Sequence, residues 1–250
     1  MIEHAEYPED LVHSLLGATT RVVAVLDSER NHVWRVRCGT DDLVVRLSGK
    51  RPPKPIVDFE RSIAMQTVAA SYRLAPQVIA FDVDHELSIT EYVDSDLGTM
   101  GEQAFTEQLD LIVPVLRSLH AVPTDGLPTG PTDLQIFEGY GVSVDELPSE
   151  IAPSMRWDTS THVVCHHDVN MRNVRRAQRT VLIDWEYSRC ADPLHELAVL
   201  AKNLELSDRQ GAALLERYFG PTVDSLVRER FKVYRRRAGL WFALWSKRYQ

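Results

Sequence analysis

The sequence has few cysteines, no long apolar run and no excess of basic residues. Cys38, Cys165 and Cys190 are its only cysteines; they lie far apart and are odd in number, so they form no disulfide framework and favour a reducing compartment. No apolar segment approaches the roughly 20 residues that span a bilayer, and the acidic residues 1–16 lack the layout of a signal peptide. We therefore expect a cytoplasmic protein with no membrane partner.

Charge is distributed unevenly along the chain. Its 28 Lys and Arg residues against 36 Asp and Glu give a net charge of −8, the opposite of what a broad nucleic-acid binder carries, so we expect no nucleic-acid partner. Residues 228–250 nevertheless contain eight basic and one acidic residue. Within them, Arg235-Arg236-Arg237 either forms a solvated face or binds an acidic region of the chain or of a partner. Residues 131–160 have the reverse bias, with six acidic residues and one basic.

The chain contains two kinds of hydrophobic pattern, and the change between them falls near residue 94. Before it, period-2 and β-branched runs predict strands over 21–26, 32–38, 42–47, 77–82 and 86–93. Helices are predicted in the same part over 9–16 and 57–72. After it, helical spacing predicts helices over 103–120, 194–205, 208–219 and 223–249. Pro114 is expected to kink or break the first of these later helices. Residues 121–160 are rich in Pro, Gly and Asp and are predicted to be a connection with short helical pieces.

These patterns predict an α+β fold in two parts. A small, sheet-rich N-terminal lobe covers residues 1–93, and a larger, mainly helical C-terminal lobe covers residues 94–250. With 250 residues, the chain is long enough to bury a sizeable core as one unit.

Most of the chemical information lies in residues 163–186. The run VVCHHDVNMRN places His166, Asp168 and Asn173 in a polar loop after a short apolar strand, and a second strand, VLIDWE, ends on Asp184. Two loops joined by a hairpin bring these carboxylate and amide oxygens together, and such hard ligands suit Mg²⁺. In phosphoryl transfer, one Asp accepts the proton of the acceptor hydroxyl, while an Asn and a second Asp hold metal on the ATP phosphates. These roles are predicted for Asp168, Asn173 and Asp184 in that order.

The same segment resembles the kinase-like phosphotransferases of the aminoglycoside phosphotransferase and choline kinase group. HHDVNMRN matches the H-x-D-x-x-x-x-N loop of that group, and LIDWEYS matches its I-D-[WF]-E segment. The resemblance implies the bilobal protein-kinase-like fold, ATP and Mg²⁺ as cofactors, and an active site between the lobes. His166 is interpreted as a structural residue that braces the loop.

The resemblance extends to the N-terminal lobe and implies the nucleotide contacts. Arg46, in LVVR, lies where a basic residue of the group grips the phosphates, and Glu60 lies where a helix carboxylate pairs with that base. Glu91, Tyr92 and Val93 resemble the run into the hinge, where backbone groups meet adenine. The hairpin at 25–30 departs from the pattern because it contains no glycine, so its contact with phosphate is left open.

The acceptor is predicted from aromatic residues. Leu240–Trp245 resembles a Leu-Trp-x-x-Leu-Trp region of choline kinases, whose aromatic faces attract a quaternary ammonium group. With Trp241 and Trp245, the residues Trp185, Glu186 and Tyr187 are expected to complete a cationic pocket, and thiamine kinases share the IDWEY segment. We therefore expect phosphate transfer to a small cationic alcohol such as choline, ethanolamine or thiamine.

Several alternatives remain open at this stage. Trp241 and Trp245 also lie on the core stripe of their helix, and Glu60 could instead belong to a solvated helix face. The acidic residues 131–160 suit a polycationic antibiotic, so an aminoglycoside phosphotransferase is a second candidate. A non-catalytic binding protein that keeps the fold is a third.

Overall fold

The computed structural model describes residues 6–28, 30–49, 52, 54–95, 104–157 and 162–249. Its N-terminal part contains a five-stranded antiparallel sheet with the strand order β1-β2-β3-β5-β4. The strands are β1 Arg21–Leu26, β2 His32–Cys38, β3 Asp41–Leu47, β4 Val78–Asp82 and β5 Leu87–Glu91. The predicted meander and the two later strands are therefore confirmed.

Two helices accompany this sheet, α1 Glu9–Leu16 and α2 Phe59–Ser71, and α2 connects β3 to β4. Helix α2 begins at Asp58, whose side chain accepts a 2.9 Å hydrogen bond from the Arg61 backbone N–H, the usual N-cap arrangement. Helix α1 covers one side of the sheet, where Val12 packs with Trp34, Val36 and their apolar neighbours in a small core.

The C-terminal part is mainly helical, as predicted. Its helices are α3 Phe105–Leu119, α4 Asp133–Gly139, α5 Pro193–Asn203, α6 Asp208–Phe219 and α7 Ser225–Tyr249. Of the kink or break predicted at Pro114, the break does not occur, because α3 continues through this residue. Pro114 and Asp110 both lie on the exposed side of the helix, so the Asp110 carbonyl, which loses its usual partner at Pro114, can be hydrated. None of the helices in the described ranges is both long enough and apolar enough to cross a membrane.

Two small antiparallel pairs hold the chemically rich loops. Strand β6 Val163–Cys165 pairs with β9 Arg189–Ala191, and β7 Val174–Arg176 pairs with β8 Thr180–Leu182. Upstream, the stretch 121–157 contains α4 and 3-10 turns at Val144–Glu146 and Ala152–Arg156, which is the predicted connection with short helical pieces. The last residues of the predicted connection 121–160, namely 158–160, lie outside the described ranges.

The main hydrophobic core extends from α2 into the helical part. Met65, Ala69 and Leu74 of the N-terminal part belong to the same buried cluster as Leu116 of α3 and Leu200 of α5. A main-chain hydrogen bond of 2.9 Å from the Leu182 N–H to the Leu74 carbonyl also joins the two parts. The predicted lobe boundary between residues 93 and 94 marks the change from a sheet-rich to a mainly helical sequence. The hydrophobic core, by contrast, is continuous across it.

The basic helix α7 neutralises acidic residues of its own chain. Arg235 pairs with Asp208 at 2.8 Å and Arg230 with Asp192 at 2.6 Å, while the buried Arg237 pairs with Asp133 of α4. Of the two alternatives for Arg235-Arg236-Arg237, Arg235 and Arg237 therefore bind acidic residues of the same chain.

Candidate active site

The polar loop after β6 and the end of β8 meet at the floor of a large cleft. The cleft has a volume of about 1350 Å³ and is lined both by strands of the sheet and by residues of the helical part. Asp168, Asn173 and Asp184 all lie along it. The hairpin formed by β7 and β8 brings these residues together, as their spacing predicts.

Asp168 and Asn173 are directly linked. The Asn173 amide nitrogen donates to the Asp168 carboxylate at 2.9 Å and to its backbone carbonyl at 2.8 Å. Burial, together with the carboxylates of Asp184 and Glu186, raises the pKa of the Asp168 carboxyl well above its ordinary value. An aspartate with a raised pKa is a better proton acceptor once it is ionised, which suits a general base.

Asp184 and Asn173 offer the oxygens for a metal ion. Asp184 has a φ of 67°, in the left-handed region that Asp tolerates better than most residues. Its Oδ1 atom is buried and lies 3.3 Å from Arg46 Nη2, yet it accepts no hydrogen bond from the described residues. Because the Asn173 amide nitrogen is directed at Asp168, its oxygen is left for another partner. The donor set, one carboxylate and one amide oxygen beside a cleft, fits Mg²⁺ shared with phosphates.

His166 braces the loop, as interpreted from the sequence. It is fully buried; its Nε2 lies 2.9 Å from the Ile183 carbonyl and its Nδ1 accepts from the Asp168 N–H at 3.3 Å. Burial lowers the pKa of His166, which favours the neutral ring that this donor and acceptor pattern requires. The histidine therefore ties the two loops together and is not placed as an acid or base.

Trp185, predicted to bind substrate, packs into the core instead. It is 1% exposed, its indole N–H donates to the Leu182 carbonyl at 2.8 Å, and its ring meets His166 edge-on. Its polar atom already has a hydrogen-bond partner inside the protein. Its ring packs against His166 and so stabilises the polar loop after β6.

Glu196 of α5 anchors the polar loop after β6 and was not identified from the sequence. Its buried carboxylate accepts the backbone N–H of His166 at 2.5 Å and that of His167 at 3.0 Å. Burial alone raises the pKa of Glu196, but His120 and the His166 N–H outweigh it and the pKa is lowered. His167 has a φ of 60°, so one carboxylate holds a loop whose backbone is in an unfavourable region.

Arg46 lies in the cleft as predicted, but its partner differs from the prediction. The expected partner, Glu60, is 64% exposed and lies 3.8 Å from Lys54. Arg46 instead contacts Glu186 at 2.5 Å. Glu60 is near the start of α2 and points to solvent, whereas Glu186 follows Asp184 by two residues and is 2% exposed. Glu186, predicted to bind the acceptor, therefore orients the arginine.

One end of the cleft contains the run that was predicted to bind the nucleotide. Glu91, Tyr92 and Val93 line it, and its apolar wall includes Leu26, Val33, Val44, Met171 and Ile183. The Arg35 guanidinium lies over the Tyr92 ring, 3.9 Å from the ring centroid. The tyrosine side chain is therefore engaged by another residue of the protein. An apolar wall beside backbone groups suits a purine base.

At the opposite end, Tyr187, Trp241 and Trp245 form an aromatic pocket. The Trp245 indole N–H donates to the Tyr187 hydroxyl at 2.9 Å, and the Tyr187 and Trp241 rings meet edge-on at 5.8 Å. The Arg30 guanidinium lies over two of these rings, 4.9 Å from the Trp245 centroid and 5.5 Å from that of Tyr187. Three of the residues predicted to bind the acceptor therefore lie together, and in this structure Arg30, a cation of the chain itself, lies over two of their rings.

Arg30 and Glu196 are the main residues that sequence reasoning missed. Arg30 is the last residue of the glycine-free stretch 25–30. An arginine in that hairpin was a signal for a charged contact in the cleft. Glu196 lies in the DPLHE run directly after the second chemical segment. No spacing rule links either residue to its partners, which are 157 and 30 positions away.

Comparisons with known proteins find a matching family and a relative of similar sequence. A model of the phosphotransferase enzyme family matches residues 21–231. Protein LicA of Haemophilus influenzae is 31% identical over 90 residues, which cover 33% of this chain and only 34% of that relative. The chain therefore matches about a third of the length of this curated relative.

Two solved structures have similar folds. A choline/ethanolamine kinase family protein from Mesorhizobium loti superposes with a TM-score of 0.70 at 22% identity, over 92% of this chain and 80% of the other. A thermostable mutant of aminoglycoside phosphotransferase APH(4)-Ia, in a ternary complex with AMP-PNP and hygromycin B, gives 0.66 at 19% identity, over 96% and 92%. At these identities the likeness establishes the protein-kinase-like fold.

Proposed function

The chain belongs to the phosphotransferase enzyme family, and on that premise we propose that it transfers the γ-phosphate of ATP to the hydroxyl of a small cationic alcohol such as choline, ethanolamine or thiamine. The observation that supports this acceptor class is the aromatic pocket of Tyr187 and Trp245, which already accommodates a guanidinium cation at 4.9 to 5.5 Å from the ring centroids. Aromatic faces attract cations through the ring quadrupole.

The chemistry follows from the floor of the cleft. Asp168 accepts the proton of the acceptor hydroxyl, and Asn173 holds the Asp168 carboxylate in position through its 2.9 Å hydrogen bond. Asp184 and Asn173 are the residues that would hold Mg²⁺, which supplies charge neutralisation on the transferring phosphate. Arg46, fixed by Glu186, contributes a permanent positive charge toward the phosphates.

The nucleotide is oriented by the rest of the cleft. Val33, Val44 and Ile183 provide apolar contact for the base, and the backbone of Val93 provides polar groups beside it, since the Glu91 and Tyr92 N–H groups already donate to the Gln77 and Asp42 carbonyls. Positioning and electrostatic stabilisation account for most of the catalysis in phosphoryl transfer, so these contacts serve the rate as well as affinity.

A second candidate is an aminoglycoside phosphotransferase. It is favoured by the similarity to the APH(4)-Ia complex with hygromycin B and by the acidic stretch 131–160. One acid of that stretch, Asp133, is already paired with Arg189 at 2.5 Å and with Arg237, so it is not free for a polycation. This observation favours the small acceptor.

A panel assay tests the proposal. Mg²⁺-dependent ADP release is measured with choline, ethanolamine, thiamine and several aminoglycosides, with Asp168→Ala as the control. We expect turnover of one of the three small alcohols and its loss in the variant. Turnover of aminoglycosides alone refutes the acceptor class, and absence of both turnover and ATP binding refutes the kinase function in favour of a non-catalytic binding protein.

A further inference from the structure

Arg30 reaches across the cleft and occupies the acceptor end. It lies in the loop between β1 and β2, and its guanidinium donates to the Tyr187 hydroxyl at 2.5 Å and to Glu186 Oε1 at 2.8 Å. It also lies over the rings of Tyr187 and Trp245. The chain therefore fills its own cation pocket with a side chain from the opposite lobe.

The same side chain is also within electrostatic reach of the phosphate end. Asp27, Ser28 and Arg30 of this loop line the cleft together with Arg46 and Asp184. The positive charge of Arg30 acts on the Asp168 carboxyl, where it opposes the pKa-raising effects of burial and of the other carboxylates. A phosphate chain held at Asp184 would therefore lie beside this guanidinium.

Glu186 is shared by two arginines, so Arg30 can move away without leaving this carboxylate unpaired. One carboxylate oxygen contacts Arg30 at 2.8 Å and the other contacts Arg46 at 2.5 Å. If Arg30 leaves, Glu186 remains paired with Arg46 and no buried charge is left alone. Phosphate oxygens offer the departing guanidinium bidentate, charge-assisted hydrogen bonds.

We propose that Arg30 is a two-position gating residue: without nucleotide it occupies the acceptor's cation pocket, and with Mg–ATP it moves to the phosphates and vacates that pocket. The inference rests on the proposed function, because it requires a cationic acceptor. It makes nucleotide and acceptor binding mutually favourable, and by linkage each ligand strengthens the other by the same factor. Phosphate and acceptor therefore become bound together before transfer.

Calorimetric titration tests this without turnover. The probes are Mg–AMP-PNP and tetramethylammonium, and the proteins are wild type, Arg30→Ala and, as a matched control, Arg37→Ala, an arginine on β2 that is paired with Asp42 at 2.8 Å outside the cleft. In wild type and Arg37→Ala, we expect Mg–AMP-PNP to tighten tetramethylammonium binding about tenfold, within the usual range of coupling between two sites. In Arg30→Ala, tetramethylammonium should bind tightly without nucleotide, the coupling should vanish, and Mg–AMP-PNP should bind more weakly.

The outcomes separate the two proposals. If tetramethylammonium binds Arg30→Ala and wild type alike, or if the coupling survives in Arg30→Ala, the gating role of Arg30 is overturned while the cationic acceptor stands. If it binds neither protein under any condition, the cationic acceptor is refuted, and the gate with it. Arg30→Asn, whose short uncharged side chain leaves the rings uncovered, replaces Arg30→Ala if circular dichroism shows the alanine variant unfolded.

Discussion

The hydrogen bonds that Glu196 accepts from the polar loop after β6 should make a large contribution to stability. In Glu196→Ala, the buried backbone N–H groups of His166 and His167 lose their acceptor, which lies at 2.5 and 3.0 Å in the native protein. An unsatisfied buried donor costs about 1–3 kcal/mol, so two cost about 2–6 kcal/mol. Since native domains are stable by about 5–15 kcal/mol, a substantial part of the total depends on one side chain.

Urea unfolding followed by tryptophan fluorescence measures this effect. Glu196→Gln keeps one acceptor oxygen and should lose about half as much as Glu196→Ala. The control is Glu216→Gln, the same chemical change at a carboxylate 48% exposed and paired with Arg228 at 3.0 Å, where we expect about 0–1 kcal/mol. A loss below about 1 kcal/mol in Glu196→Ala, well under the cost of even one typical unsatisfied donor, would refute the reasoning.

The pH dependence gives a second check on the same residue. The pKa of Glu196 is lowered in the folded protein. Its ionisation therefore stabilises the fold at any pH above the unfolded pKa, about 4.3, and this stabilisation is lost as the pH falls through the folded pKa. The stability difference between wild type and Glu196→Ala should stay constant from neutral pH to about pH 5 and shrink at lower pH. A constant difference down to the acid transition would contradict the shift.

Three further predictions concern the site and its support. Asp184→Asn should raise the Mg²⁺ concentration for half-maximal ADP release by about tenfold or more, since metal sites lose 10–100-fold from smaller changes; an unchanged Mg²⁺ titration would remove Asp184 from the metal site. Trp245→Ala should raise the KM of a cationic acceptor about 2- to 30-fold, the value of one cation–π contact of 0.5–2 kcal/mol, with ATP affinity unaltered; an unchanged KM would make Trp245 remote packing. Asp133→Ala should lower the free energy of unfolding by about 3–5 kcal/mol, because it leaves Arg189 and Arg237 buried without their carboxylate; a urea midpoint equal to that of wild type would contradict this.

The elements and their order could be predicted because they depend on local patterns. Period-2 runs bounded by turn residues gave all five strands of the sheet, and helical stripes gave α3 and α5 to α7. Of the kink or break predicted at Pro114, the break does not occur because a proline on the exposed side of a helix leaves the unpaired carbonyl to water, and exposure is not visible in the spacing.

The site could be predicted in part for the same reason. Asp168, Asn173 and Asp184 are close in sequence, so a single hairpin brings them together. The partner of Arg46 was expected to be Glu60, and the sequence could not correct this because the pairing depends on which way α2 faces. In the folded chain Glu60 is exposed and Glu186 is buried beside the arginine.

The sequence by itself determined which groups are available: an aspartate, an asparagine and a second aspartate in a hairpin, a basic residue on a strand, and tryptophans at helical spacing. Only the tertiary structure decided which of them meet across long separations. It turned Trp185 into the core, placed Glu186 between two arginines, and brought Arg30 from the first hairpin onto Tyr187 and Trp245. The physical reason is that local patterns fix periodicity and turns, whereas contacts between distant segments depend on how packed faces orient, which is set by the core that the whole chain forms.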